Sequence, residues 1–364
     1  MKQNSSTVNL TSGSIPKQII AFAVPIFLGN LFQQLYNVID SLIVGNFISS
    51  QALAAVSSTN ALIFSMIGFF NGMSIGAGVV VARYYGSKDE EGIHRSVHTT
   101  AAFGLAGGLL ITILGTLLTP QILVWMKSPA DVLPQSVAYL RIYFMGILSM
   151  TTYNCQVGIL QSVGDSRHPL YYLIVSSVLN AILDLFFVGV LHQGVWSAAL
   201  ATVIAQGFSS YLCFRQLSRV QASYRLELPR IRFYPEMVPQ ILRNGLPAGI
   251  QNSIISVANV VVQSCINSFG SVAMAGCGAY SKIQGFVFLP IMSISNAITT
   301  FISQNLGAKQ PARAKKGAFF GIGTGMLLAE LFGVAFFLFA ATLTRAFSSD
   351  PAVIDYGVRE AHLE

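Results

Sequence analysis

The stretch 171–191, YYLIVSSVLNAILDLFFVGVL, is long and apolar enough to cross a lipid bilayer. At ~1.5 Å per residue it spans roughly 30 Å as a helix, the thickness of the hydrocarbon layer. It carries Asn180 and Asp184, which stand four residues apart and therefore lie on one face of the helix. A carboxylate in a bilayer costs about 2.5–3.5 kcal/mol on insertion scales, so this face must look towards the protein interior or a water-filled cavity. The pattern predicts an ion or proton site; a carboxyl that only bonds a neighbouring helix is the alternative.

The composition of the whole chain is that of a polytopic membrane protein. Hydrophobic residues make up 53% of the 364 residues and charged residues only 10%, which is far outside the range of soluble globular proteins. All four cysteines fall in apolar segments without metal-ligand spacing, which argues against a disulfide framework or a zinc site. The net charge of +7 comes mainly from short connections between apolar segments. It therefore indicates membrane orientation and not a nucleic acid partner.

Nine apolar segments of spanning length are predicted, and a tenth begins near Pro351. The nine segments are 16–44, 51–82, 97–119, 132–160, 170–191, 195–217, 241–268, 272–304 and 316–342. Lysine and arginine concentrate in alternate connections, above all between Arg215 and Arg243, whereas the other connections hold little beyond Lys127 and Arg345. By the positive-inside rule, we expect a cell inner (plasma) membrane protein whose N-terminus and basic connections are cytoplasmic.

The chain repeats itself at a long period. The matched residues are Pro25 with Pro247, Asn30 with Asn252 and Asn37 with Asn259, at an offset of 222. The turn GSK at 86–88 matches GAK at 307–309 at an offset of 221. The repeat predicts an all-α fold of two pseudo-symmetric six-helix lobes around a central cavity.

This register divides the chain into four parts. They are a cytoplasmic N-terminal tail (1–15), an N-lobe (16–218), a basic cytoplasmic linker (219–240) and a partial C-lobe (241–364). Glu364 corresponds to Tyr143, inside the fourth segment. On that register, the C-lobe is expected to be truncated in its fourth helix, and transport by this form is placed in doubt.

Polar residues form a stripe along the first segment. Its members are Asn30, Gln33, Gln34, Asn37, Asp40 and Ser41. Their spacing puts them on one helical face, which in a spanning helix looks at water or polar partners. A polar seam that only joins two helices is the alternative. Asn30, Gln34 and Asn37 are therefore candidates to line a substrate cavity.

Glycines recur every four residues in the second segment, at Gly68, Gly72 and Gly76. Small residues at this spacing let two helix backbones approach closely. The motif predicts a packing seam and no binding role.

Three candidate residues share a depth in the predicted membrane. Asp40, Asp184 and Thr202 lie about five, seven and seven residues from the outer, non-cytoplasmic ends of their segments, a difference of a few ångströms in depth. Two carboxylates brought together at low dielectric favour uptake of a proton. Asn180 and Thr202 add neutral oxygens suited to Na⁺. The residue types therefore leave H⁺ and Na⁺ both open as the bound ion.

The C-lobe lacks the acid of the N-lobe, because Val262 stands at the position of Asp40. Its ionisable candidates are Lys282 and Glu330, which are predicted at similar depth in adjacent antiparallel helices. They would either contribute to substrate binding or form a structural ion pair.

Several motifs together resemble the multidrug and toxic compound extrusion (MATE) family, over residues 15–356. They are the repeat, Pro25 with Asp40 and Val44-Gly45, ARYYGSKD (82–89), Asn180 with Asp184, and GVWSAALAT ending at Thr202. The resemblance implies twelve helices in two lobes, which exchange H⁺ or Na⁺ for cationic, amphipathic drugs by rocking between inward- and outward-open states. It implies a monomer in contact with lipid, with no enzymatic activity and no cofactor beyond the coupling ion.

The resemblance also assigns roles to individual residues. It places Asp40, Asn180, Asp184 and Thr202 at the family's N-lobe cation site. The chain has no acid in the seventh segment. In this it resembles the branch that includes DNA-damage-inducible protein F and differs from the NorM-type branch. Leu185 stands where the family often has Pro, which changes the expected bend of the fifth segment.

Three other functions compete with drug export. An intramembrane aspartyl protease also needs two facing carboxyls, but Asp40 (VIDS) and Asp184 (ILDL) lack a Tyr-Asp or Gly-x-Gly-Asp setting. A flippase of related fold for lipid-linked saccharides would need a strongly cationic cavity to hold pyrophosphate. A non-transporting truncated remnant is the third alternative.

Overall fold

The computed structural model describes residues 7–47, 50–125, 133–194, 196–269, 271–345 and 351–363. Within these ranges, the structure does not describe the side chains of residues 37–67, 125, 260, 263, 267, 268, 271–275, 279, 282, 283, 352, 353 and 363. The α-helices are α1 (Ile15–Phe47), α2 (Ser50–Ser87), α3 (Glu90–Trp125), α4 (Leu133–Ser162), α5 (Arg167–Asp184), α6 (Trp196–Arg219), α7 (Val238–Ser268), α8 (Ser271–Gly307), α9 (Pro311–Arg345) and α10 (Pro351–Leu363). A π-helix, Leu185–Val190, continues α5, and a 3-10 turn, Leu228–Arg230, lies between α6 and α7. The described part of the chain contains no β-strand, which agrees with the predicted all-α class.

Each predicted apolar segment coincides with one helix. Seven described stretches, in α1, α3 and α5 to α9, are long and apolar enough to cross a membrane. α4 is not among them because polar residues dilute its hydropathy. It packs instead against α2, α3 and α6 and buries Ser136, Thr151 and Gln156. Two of these groups bond to neighbouring helices: Thr151 donates to the Gly104 carbonyl of α3 over 3.0 Å, and Gln156 Oε1 accepts from Ser210 Oγ of α6 over 3.5 Å.

α5 buries its polar residues and exposes its apolar ones. Ser176, Asn180 and Asp184 are buried, whereas Val178 and Ile182 on other faces are more than half exposed. This distribution is the reverse of that expected for a helix in water, where the apolar face is buried. It is the distribution of a membrane helix whose apolar side chains contact lipid and whose polar face looks inward.

The helices form two lobes, which we call the N-lobe (α1–α6) and the C-lobe (α7–α10). In the N-lobe, α3, α4 and α6 pack together, and α5 lies against α1 and α6. In the C-lobe, α8 packs against both α9 and α10. The lobes meet where α1 contacts α8, α2 contacts α7, and α2 contacts α8. α1 and α7 are the first helices of their lobes, and α2 and α8 are the second. The first two contacts are therefore equivalent under the sequence repeat, and the interface follows the same pseudo-two-fold symmetry.

Glycines bring the lobes into backbone contact. A methyl group added to Gly76 would overlap the backbone of Gly245 in α7, and one added to Gly72 would overlap that of Gly249. The predicted packing role of the glycine ridge in α2 is thereby confirmed, and α7 is its partner. This contact lies towards the end of the molecule that bears residues 220–237. We call that end the linker side and the opposite end the far side.

Two asparagines matched by the repeat each donate a hydrogen bond to the other lobe. Asn30 Nδ2 of α1 donates to Ser293 Oγ of α8 over 3.1 Å. Asn252 Nδ2 of α7 donates to the Gly68 carbonyl of α2 over 3.1 Å. Each asparagine thus reaches from the first helix of one lobe to the second helix of the other.

Candidate functional site

The buried face of α5 ends at a change of helix type. Asp184 is fully buried and is the last residue of the α-helical part. The backbone N–H of Leu185 is shared between the carbonyls of Ala181 and Ile182, and the next turns are π-helical to Val190. The wider π turn is often found at functional positions of helices. Leu185, which replaces the proline expected from the family resemblance, is the first residue of this π segment.

Thr202 of α6 links three helices through its hydroxyl group. It donates to the Ala198 carbonyl over 3.1 Å and accepts from Asn180 Nδ2 of α5 over 3.5 Å. Tyr36 Oη of α1 lies 3.0 Å from the same oxygen, within hydrogen-bonding distance. The predicted proximity of Asn180 and Thr202 is therefore present in the structure.

The face of α5 at this site carries buried oxygen atoms. Asn180 uses its amide nitrogen on Thr202, while its Oδ1 is buried and accepts no hydrogen bond from the part of the chain that the structure describes. The buried carboxyl of Asp184 lies one helical turn further along. Carboxylate, amide and hydroxyl oxygens are ligands for Na⁺, and a buried carboxyl is equally suited to carry a proton.

The other predicted site residues lie in several places. The side chains of Asp40 and Asn37 in α1, and of Lys282 in α8, fall outside the described residues. Gln34 is half-buried and faces α8, where its Nε2 would lie 3.4 Å from a Cβ on Gly285. Glu330 is exposed on α9.

A cavity of about 400 Å³ lies between the lobes on the linker side of Thr202. Asn30 lines it, together with Asn252 and residues of α2, α4, α5, α6 and α8. Gln206 also lines it, one helical turn from Thr202, which places the cavity about 6 Å along α6 from the Thr202 hydroxyl. None of the described lining residues is charged. The cavity is therefore adjacent to the acidic site, but its described lining is uncharged.

Tyr36 and Gln206 were not among the residues predicted from sequence. Tyr36 precedes Asp40 by four residues, and Gln206 follows Thr202 by four, so each shares a helical face with a predicted site residue. A search for polar residues one helical turn before Asp40 and one turn after Thr202 would therefore have identified both of them.

Side-chain bonds reinforce the contact between the lobes on the linker side. Gln304 Nε2 of α8 donates to the Ser162 carbonyl at the end of α4 over 2.6 Å. Arg313 of α9 donates to the Gly13 carbonyl over 2.8 Å, which ties the C-lobe to the segment 8–14. The lobes are therefore closed together on this side.

The linker is attached to the N-lobe by polar contacts. Arg95 of α3 forms an ion pair with Glu236, and the backbone N–H of Glu227 donates to His98 Nε2 over 3.0 Å. The pKa of Glu236 is lowered by a hydrogen bond from its own backbone N–H and by the one from Arg95. The carboxylate is thus stabilised in its charged form, which keeps the pair with Arg95 intact.

Comparison with known proteins agrees with this architecture. A family model described as MatE matches residues 25–186 and 247–361. Two curated relatives from Bacillus subtilis (strain 168), the probable multidrug resistance proteins YpnP and YoeA, are each 29% identical to this chain. The match to YpnP covers 96% of this chain and 78% of YpnP. The match to YoeA covers 93% of this chain and 74% of YoeA. A solved structure described as the outward-facing conformation of a multidrug resistance MATE family transporter of the MOP superfamily superposes with a TM-score of 0.90 at 22% identity, over 99% of this chain and 80% of the other.

The chain belongs to the MatE family, because the family model matches well over half of it. It is a multi-pass membrane protein of a multidrug efflux class, and this family is one of transporters and not of enzymes. Its substrates are accordingly small molecules.

Proposed function

We propose that this protein exports amphipathic drugs, cationic ones among them, in exchange for H⁺ or Na⁺. The single observation that carries the proposal is the complete burial of Asp184, one helical turn from Asn180, which bonds to the Thr202 hydroxyl. A buried carboxylate is stabilised by a bound cation, by a proton or by hydrogen-bond donors, so a change in the burial of Asp184 would alter its affinity for an ion.

The two-lobe repeat supports alternating access as the mechanism. In such a mechanism, closure of the lobes along Gly72 and Gly76 of α2 belongs to an end state whose access is from the far side. An ion bound at Asp184 neutralises the carboxylate, which is buried in the N-lobe. Ion binding therefore changes the free energy of the inward-open state relative to the outward-open state. A cationic drug attracted to the same carboxylate would compete with the ion, and exchange of one for the other is antiport.

The same proposal includes orientation and subfamily. The basic linker indicates that the linker side is cytoplasmic, in an inner membrane, so that the described state is open to the outside. Val262, in place of an acid in α7, favours the branch of DNA-damage-inducible protein F over the NorM-type branch. A flippase for lipid-linked saccharides receives no support from the cavity, because its described lining contains no lysine or arginine to hold pyrophosphate.

Accumulation of the cationic dye ethidium in cells tests the function. Cells that lack their own exporters should accumulate less dye when they produce the protein. Asp184→Asn and Asp40→Asn should each restore high accumulation, because asparagine keeps the side-chain volume and removes the titrating charge. Asp355→Asn, on the exposed surface of α10, is the matched control and should export normally. Normal export by Asp184→Asn would refute the proposal.

A further inference from the structure

A groove of about 240 Å³, which we call the lateral groove, lies in the N-lobe beneath the linker. Its walls are α3 and α6, its floor is α4 and its roof is the linker. The lining residues are Ala101, Leu105, Thr152, Gln156, Ser210, Tyr211, Phe214, Leu226, Leu228 and Ile231. None of them lines the cavity between the lobes, so the lateral groove is a separate feature of the fold.

The mouth of the lateral groove faces lipid. Leu105 and Tyr211 line it and are more than a third exposed, although they belong to stretches of α3 and α6 that are apolar enough to cross a membrane. The ring of Tyr211 is also of the amphipathic kind that is enriched at membrane interfaces. Whatever fills the groove is therefore supplied by the bilayer, and an acyl chain suits its mainly apolar lining.

Two hydrogen bonds from the linker backbone hold the roof in place. The N–H of Leu226 donates to the Leu217 carbonyl of α6 over 3.0 Å. The N–H of Glu227 donates to His98 Nε2 of α3 over 3.0 Å. The linker therefore bridges α6 and α3, and the groove is formed before any lipid enters it.

The roof is part of a strongly basic segment. Residues 215–232 contain five arginines and one acid, Glu227, and so carry four net positive charges. Two of these arginines share the acid, because Arg225 Nε lies 3.9 Å from Glu227 Oε1 and Arg230 Nε lies 2.9 Å from Glu227 Oε2. The remaining arginines keep the positive charge of the segment, which attracts an anionic headgroup.

Arg215 is the arginine best placed above the mouth of the groove. It stands one helical turn from Tyr211, towards the linker, and therefore shares its face of α6. Its side chain is exposed, and no described residue forms a hydrogen bond or ion pair with its guanidinium group. With Tyr211 at the interface, Arg215 lies at the level of lipid phosphates.

A buried carboxamide adds a polar contact inside the groove. Gln156 is only 3% exposed, and its Oε1 accepts a hydrogen bond from Ser210 Oγ over 3.5 Å. Its Nε2 donates to no residue that the structure describes. An ester carbonyl of a phospholipid is an acceptor that would satisfy this donor.

We propose that the lateral groove binds one anionic phospholipid of the leaflet on the linker side, with an acyl chain in the groove, an ester carbonyl at Gln156 Nε2 and the phosphate against Arg215. A zwitterionic phospholipid also carries a cationic amine, which the basic segment repels, so it binds more weakly. The site lies outside both the acidic site and the cavity between the lobes, and it does not depend on the exporter function.

Quenching of a single tryptophan by brominated lipids tests the proposal. Phe214→Trp places the reporter in the groove, with the two native tryptophans changed by Trp125→Phe and Trp196→Phe. In phosphatidylcholine vesicles, phosphatidylglycerol with brominated chains should quench the reporter at a several-fold lower mole fraction than brominated phosphatidylcholine. Arg215→Gln should raise the mole fraction of phosphatidylglycerol for half-maximal quenching about threefold to tenfold, the contribution of one arginine near a membrane surface.

Three further variants complete the test. Arg243→Gln, on the exposed surface of α7 in the other lobe, is the matched control and should leave quenching unchanged. Thr152→Leu enlarges a side chain that lines the groove and should weaken quenching by both lipids, because it displaces the acyl chain. Tyr211→Trp provides a second reporter, at the mouth, which should rank the two lipids in the same order. Equal quenching by the two brominated lipids, or equal effects of Arg215→Gln and Arg243→Gln, would overturn the proposal.

Discussion

Lys88 and Lys309 lie 221 residues apart in the chain and adopt the same left-handed backbone conformation, with φ of 57° and 56°. Each lies just after the long second helix of its lobe: Lys88 is the first residue after α2, and Lys309 is the second residue after α8. Residues with a side chain rarely take this conformation, so its recurrence shows that the two lobes reuse one turn. The repeat in the sequence is therefore a repeat of structure, and the predictions below use one lobe as the reference for the other.

Membrane orientation is tested by labelling single cysteines in a background without the four native ones. Cysteine replaces Gln221 in the linker or Gln193 on the far side, both exposed. A membrane-impermeant maleimide added to intact cells should label Gln193→Cys and spare Gln221→Cys, because the basic linker is expected to be cytoplasmic. Both should be labelled in broken cells. Labelling of Gln221→Cys alone in intact cells would reverse the orientation and the direction of transport.

Closure of the lobes on the linker side depends on Gly76. Gly76→Ala should lower the melting temperature of the detergent-solubilised protein, because the added methyl group overlaps Gly245 and overpacking typically costs about 1–3 kcal/mol. The matched control is Gly323→Ala in α9, where an added Cβ meets no atom within 4 Å and the change should be neutral or slightly stabilising. Equal melting temperatures for the two variants would contradict the glycine seam.

The Tyr36 hydroxyl should set the affinity of the N-lobe site for its ion. Tyr36→Phe removes the bond to Thr202, worth about 0.5–1.5 kcal/mol, so the ion concentration for half-maximal export should shift about twofold to tenfold. Tyr171→Phe, on an exposed part of α5, should cause no shift. A shift of the same size in both variants would indicate that the hydroxyl at Tyr36 has no specific role.

The positions of α1 to α9 and the start of α10 could be predicted from sequence, because a run of apolar residues long enough for the bilayer has few other interpretations. Counting residues at a fixed rise predicts a similar depth for Asp184 and Thr202. Rotation about the helix axis does not follow from such counting. The contact of Thr202 with Tyr36, the burial of polar α4 and the exposure of Glu330 therefore became visible only in the structure.

The inter-lobe cavity illustrates the same difference. Its lining includes Asn154 and Gln161 of α4 and Asn296 of α8, and the convergence of these carboxamides depends on packing between lobes that are distant in the chain. The stripe on α1 indicated one wall of the cavity, through Asn30. The other walls carry no comparable stripe, because each helix contributes only one or two of the carboxamides.

The central claim is that Asp184 couples an ion gradient to export, and transport in reconstituted vesicles tests it most directly. The purified protein is placed in vesicles sorted so that the linker side faces outward, and ethidium is added outside. An acidic lumen or a Na⁺-rich lumen should drive ethidium uptake by the unmodified protein and by Asp355→Asn, and whichever gradient succeeds identifies the ion. Asp184→Asn should bring gradient-driven uptake to the level of empty vesicles. Uptake by Asp184→Asn at the rate of the unmodified protein would contradict the account.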